Sequence, residues 1–262
     1  MKKLLFNRIL LPSVFDGTKT RTRRAISIKP VSYCAECLTP ITELGCECGD
    51  YPEMSIEQIL ETAKPKHKVG EVVYIPEPYA QECIEQQTEQ GIERIATGNF
   101  LYKLNGDELS SDDKNSPFGK WKNMFFMPES AARFFAIVKE VKLTRQQDIS
   151  DEECMQEGIY SLLNSPHKHG RTVYLNHIVN KKGVPKMYDT PKEAFAALID
   201  FTSGGGTWER NPFVWAYVFE LSCCGNCINF DNEDTDGNGY CSANHCTMYC
   251  DCCCCIHKFK TT

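Results

Sequence analysis

Lys19, Arg21, Arg23 and Arg24 fall within six residues of a chain whose formal net charge is −6, interleaved with the hydroxyls of Thr20 and Thr22. Alternating Thr and Arg suit a strand, because β-branched side chains pack well on a pleated surface. A strand sends successive side chains to opposite faces, so Arg21 and Arg23 share one face while Thr20, Thr22 and Arg24 share the other. A row of guanidiniums on a rigid element matches phosphate, which accepts their planar fork in bidentate fashion. Without a ligand the same run is a solvated charged face.

Cysteine carries a second kind of chemistry. The chain has 16 cysteines, and all but Cys83 and Cys154 lie in two clusters. The opening MKKLLFNRILLPSVF only imitates a signal peptide: Asn7 and Arg8 interrupt its apolar run, and no small-residue cleavage site follows. Thiolate metal sites are therefore expected in preference to disulfides. Within an inserted loop at 33–53, Cys34-x2-Cys37 and Cys46-x-Cys48 supply the four ligands that tetrahedral zinc requires. A closed four-Cys set leaves no open coordination position, so the expected role is structural.

These residues need elements to hold them. The pattern predicts a first short strand at MKKLLF and a short helix at RILLPSVFDG closed by Gly17. SIEQILETAKP reads as a helix with Ser55 as N-cap, and VGEVVYI and FFAIVKEVKLTR read as strands. SDEECMQEG carries a complete helix grammar, from the Ser150 cap and Glu153 at the third position to Gly158 after the end. Residues 97–120 read as a polar excursion and residues 160–189 as irregular and basic. TPKEAFAALIDF is a helix with Ala194, Phe195, Leu198 and Ile199 as its core stripe, and WERNPFVWAYVFEL closes with an aromatic strand. The expected class is α+β, a small β-barrel with flanking short helices. No stretch approaches the roughly 20 apolar residues of a membrane span.

Four segments, in order, resemble ASCH domains, particularly the longer ones of bacteriophages and prophages: LLFNRILLPSVFDGTKTRTRR, KVGEVVYIPEPYA, MPESAARFFAIVKEVKLTRQQDISDEECMQEGI and AFAALIDFTSGGGTWERNPFVWAYVFE. The resemblance covers about half the chain and implies a PUA-like β-barrel whose cleft faces nucleic acid or nucleosides. Small bacterial members of the superfamily hydrolyse N4-acetylcytidine with a Lys, a Thr and a Glu; those positions fall on Lys19, Thr22 and Glu157. A Thr hydroxyl needs a neighbouring base to take its proton, and a desolvated lysine can be one. Glu157, placed just before Gly158, opposes its helix dipole unless a cation such as Lys19 offsets it. In the bland reading Lys19 contacts phosphate, Thr22 is a strand hydroxyl, and Glu157 pairs with Arg21 or Arg23.

The tail after residue 221 is similar to the short zinc ribbons common on phage proteins, with Cys224, Cys227, Cys241 and Cys255 as ligands. The surplus thiols, Cys223, Cys246, Cys250 and Cys252 to Cys254, with His245 and His257, are open for a second ion or for exchange. The expected organisation is thus an ASCH-type domain over 1–221 and a zinc-binding tail over 222–262, holding about two structural zinc ions. Expected function is binding of RNA, single-stranded nucleic acid or a nucleotide, with Arg21, Arg23 and Arg24 on phosphate and Tyr79, Trp208 or Trp215 stacking a base. The alternatives are an amidohydrolase of N4-acylated cytidine and a zinc-stabilised adaptor for a protein partner. The expected compartment is the cytoplasm, that of the host if the chain is phage-encoded.

Overall fold

A computed structural model describes residues 1–26, 34–37, 39–41, 45–46, 48–49, 53–88, 91–105, 117–165, 171–221, 230–231, 238–241 and 246–249. In chain order the elements begin with β1 (Lys2–Lys3), α1 (Leu11–Phe15), β2 (Arg21–Ala25), α2 (Ile56–Thr62), β3 (Val72–Tyr74), β4 (Tyr79–Thr88) and β5 (Gly91–Tyr102). There follow β6 (Phe135–Arg145), α3 (Asp151–Gln156), β7 (Tyr160–Ser165), β8 (Arg171–Val179), β9 (Pro185–Tyr188), α4 (Pro191–Ser203) and α5 (Thr207–Arg210). The last are β10 (Phe213–Leu221), β11 (Phe230–Asp231), β12 (Asn238–Cys241) and β13 (Cys246–Tyr249). The fold is α+β, a curled half-barrel sheet with few helices. Among the described residues no helix is long and apolar enough to cross a membrane.

The chain divides into two compact units, one of Met1–Phe15, Val72–Ile137 and Leu221–Thr262, the other of Asp16–Glu71 and Val138–Glu220. In the first, β1 pairs in parallel with β3, and β3 pairs antiparallel with the start of β6, Val73 opposite Ala136. Phe15 stacks on Phe134 with ring centroids 3.8 Å apart. Three tyrosine hydroxyls then pin the segment ahead of β6: Tyr74 donates to the Met127 carbonyl, Tyr79 to that of Phe126, and Tyr102 to that of Ala131. Glu77 is fully buried and accepts both arms of the Arg133 guanidinium, at 2.6 and 2.9 Å. Such bidentate geometry is what makes a buried carboxylate tolerable.

In the second unit β10 pairs antiparallel with β2, which sets Thr22 opposite Tyr217 and Arg24 opposite Trp215. Helix α3 has the full capping box, Ser150 and Glu153 each bonding the other's backbone N–H. Helix α4 buries Ala194, Phe195, Leu198 and Ile199, the stripe expected from its 3.6 periodicity. Buried Asn176 of β8 donates to the Ala194 carbonyl at 2.9 Å.

Two segments differ from expectation. Part of the polar excursion is β5, which pairs with β4 in a long antiparallel ribbon. Most of the ribbon's side chains beyond Glu82 are exposed on both faces, so no apolar alternation marks either strand. Residues 160–189 hold a three-stranded antiparallel sheet in the order β7-β8-β9. There the inward positions include Asn176, and a buried polar residue breaks the alternation by which a strand is read. Residues 106–116 of the excursion lie outside the described residues.

Candidate functional site

The basic run is positioned from its first residue. Asp16 accepts from both the backbone N–H and the hydroxyl of Thr18, at 2.9 and 2.6 Å, and Gly17 takes the left-handed φ of +77° that turns the chain. Thr20 is then clamped: its N–H donates to the Gln156 carbonyl at the end of α3, and its carbonyl accepts from Phe219 in β10. The residue between, Lys19, is thereby delivered to the helix end.

Lys19 is 2% exposed, and its ammonium donates to the Glu157 carboxylate at 2.7 Å and to the Glu157 carbonyl at 2.6 Å. The cation sits where the dipole of α3 ends, which resolves the oddity of a carboxylate at a helix C-terminus. Burial pushes the Lys19 pKa down from its ordinary value; Glu157 opposes this shift and the charge of Arg24 adds to it. The other Glu157 oxygen, Oε1, is buried without a hydrogen bond and lies 3.9 Å from Arg23 Nε. Thr22, 4% exposed, follows Lys19 into β2. Lys19, Glu157 and Thr22 all belong to the second unit.

Arg21 and Arg23 do share one strand face, and both meet Glu153: Arg21 at 3.0 Å and Arg23 at 2.9 Å. Arg23 also donates to the carbonyls of Arg145 and Asp148, at 3.0 and 2.9 Å, so its donors are largely satisfied within the fold. The pairing glutamate is thus mainly Glu153 rather than Glu157. A groove of about 330 Å³ runs beside them, lined by Arg21, Arg23, Lys142, Arg145, Asp148 and Glu153 among others. Of the aromatic candidates, Tyr79 is buried edge-on to Phe100 in the first unit. Trp208 packs edge-on against Phe195, and Trp215 is buried with its indole N–H unpaired. Sequence reading passed over His177, whose Nε2 is buried without a partner and whose pKa is lowered first by burial, with Lys19 contributing. A lone His in a stretch read as irregular carries no periodic signal.

The loop thiols converge as their spacing requires. The Sγ atoms of Cys34, Cys37, Cys46 and Cys48 all lie within 4.8 Å of one another. Zinc–sulfur bonds of about 2.3 Å span a tetrahedron with edges of about 3.8 Å, so the set fits one zinc ion. The four are free thiols, with Cys46 Sγ and Cys48 Sγ 3.3 Å apart. The Thr39 hydroxyl, 2.9 Å from Cys37 Sγ, holds that thiol down at about 6, toward the thiolate that binds metal. Gly49 takes a φ of +82° at the second knuckle, and its N–H closes onto the Cys46 carbonyl. Of the tail ligands, Cys241 lies in β12 opposite Cys246, while Cys224, Cys227 and Cys255 lie outside the described residues. One four-cysteine centre is therefore present among the described residues.

The buried pair predicts a large stability effect. Lys19→Met leaves the Glu157 carboxylate without its closest partner, at an expected cost of about 3 kcal/mol, the low end for broken buried pairs because Arg23 remains nearby. The double substitution with Glu157→Leu should recover most of it in urea titrations. The pH dependence has a definite sign. Because folding lowers the Lys19 pKa below 10.5, the unfolded chain holds that proton more tightly, and stability rises with pH between the folded value and 10.5. Lys19→Met should erase that rise. Wild-type stability in the single variant would mean the pair is not a buried one.

Comparison of the chain with protein-family models, with curated proteins and with solved structures finds no match.

Proposed function

We propose that the chain is an amidohydrolase of N4-acylated cytidine or a related nucleoside, with Lys19, Thr22 and Glu157 as its catalytic residues. One observation carries the reading: a lysine 2% exposed, its pKa depressed by burial, held 2.7 Å from a buried glutamate and three residues ahead of a buried threonine on the same run. A lysine evolved only for phosphate has no need to leave solvent, where it is best hydrated. In the proposed reaction neutral Lys19 takes the Thr22 hydroxyl proton as Oγ1 attacks the acyl carbonyl carbon. The C–N bond then breaks, and the proton passes from Lys19 to the leaving cytosine amine. Water, deprotonated by the same lysine, hydrolyses the acyl-threonine ester to release the acid and restore the hydroxyl. Glu157 stabilises the ammonium each time it forms. The reading carries with it a PUA-like form of the α+β fold, an ASCH-type origin and a cytoplasmic setting.

The groove beside Arg21 and Lys142 favours a second reading, in which this unit binds nucleic acid without chemistry. The two separate in one assay. Incubation with N4-acetylcytidine should release cytidine and acetate in equal amounts. A protein that binds oligonucleotides but releases neither product would leave only the binding reading.

A further inference from the structure

The first unit contains a cavity of about 470 Å³, within the roughly 300–1,000 Å³ of small-ligand sites, which the hydrolase reading does not use. Arg8, Lys103 and Lys122 line it, together with Trp121, Asn123 and Phe125, and no carboxylate is among its lining residues. None of the three cations pairs with a carboxylate among the described residues. In a chain of net charge −6, three such cations around one cavity concentrate positive charge locally. The groove in the second unit differs, since Glu153 there pairs with both Arg21 and Arg23.

Aromatic surface accompanies the charge. Lys103 Nζ lies 5.7 Å from the Trp121 ring centroid, and Lys122 Nζ lies 5.7 Å from that of Tyr79. Phe125 and Phe126 are 55% and 78% exposed, an unusual state for phenylalanine. They are not on a frayed end. Asn123 caps their turn by accepting from the Phe125 N–H, Tyr79 holds the Phe126 carbonyl, and Met124 and Met127 on either side are buried. The segment with Trp121 and Lys122 is fixed too, since the Lys122 N–H donates to the Tyr79 carbonyl at 2.7 Å. Lys122 Nζ donates to the neutral Gln81 amide oxygen at 2.9 Å and keeps its charge uncompensated. Fixed aromatic faces beside cations that lack a carboxylate partner are the composition that recognises a nucleotide, stacking its base while neutralising its phosphate.

We infer that this cavity binds a nucleotide, either free or as one link of a single strand, with its phosphate on Arg8, Lys103 and Lys122 and its base against Trp121. An acidic peptide would satisfy the charge but leave the rings unused. The assay is anisotropy of a labelled oligothymidylate on the full chain across a salt series. Replacing all three cations with Ala should flatten the plot of log affinity against log salt by roughly 2, at about 0.7 per phosphate contact on a single strand. Trp121→Ala should weaken binding at least about fivefold at fixed salt without changing the slope. Competition by thymidine monophosphate identifies a free nucleotide as the ligand, and its failure identifies a strand. The assay reads binding at a cavity of the first unit and not turnover in the second, so loss of the hydrolase reading leaves this result standing. Four outcomes overturn the inference: no binding by wild type, an unchanged slope in the folded triple variant, binding lost only with Arg21→Ala, or equal Trp121-dependent binding of a glutamate-rich peptide.

Discussion

Thr22→Ala should lower the release of cytidine from N4-acetylcytidine by about four to six orders of magnitude in kcat, the scale of losing a nucleophile. The substitution removes the hydroxyl and the γ-methyl but keeps the strand's backbone pairing to Tyr217, so the fold should survive. Lys19→Arg should fail as fully for a different reason, because a guanidinium stays protonated at neutral pH and cannot accept the threonine proton. This second swap discriminates between the two functions. A lysine serving phosphate or structure tolerates arginine in charge, whereas a base does not. Since arginine is larger and Lys19 is 2% exposed, the variant's melting curve must be compared with that of Lys19→Met. An Arg variant that is folded and still turns substrate over would dismiss Lys19 as the base.

How far the site was legible in sequence depends on what kind of signal each residue sends. The capping box of α3 and the turn at Asp16–Gly17 are local grammar, and both stand as read. They suffice to place Lys19 and Glu157, 138 positions apart, at the two ends that meet. What local grammar cannot state is which acid takes which base. Glu153 and Glu157 lie one helical turn apart, so either could meet the strand. The structure gives Glu153 to the arginines and Glu157 to the lysine. The same limit explains the missed strands. In β4 and β5 the solvated ribbon has no inner face to advertise, and in β8 a hydrogen-bonded asparagine occupies a position that patterning assigns to an aliphatic residue. His177 was invisible because its burial depends on β8 being a strand at all.

Chelation should have the second large effect, and it falls on the loop. Four thiols gathered within 4.8 Å, one of them with its pKa held near 6, form a set whose thiolates repel one another unless a cation lies among them. Structural zinc sites of this class contribute about 10–16 kcal/mol of apparent binding free energy in isolated peptides, far more than a short loop's own contacts supply. Protein purified without added metal should therefore contain at least one zinc ion per chain by elemental analysis. Cys37→Ser should lower that content by one ion while leaving any tail-bound ion in place, which separates the two cysteine clusters in a single comparison. In native protein the four loop thiols should resist alkylation until a chelator is added, then react together. The same treatment should raise proteolysis within 33–53. Measuring N4-acetylcytidine turnover before and after chelation tests whether the centre is structural only: its thiols fill a tetrahedral shell and leave no position for substrate, so activity lost on chelation should return with refolding in zinc. Metal-free protein whose four thiols are oxidised to disulfides would contradict the centre outright.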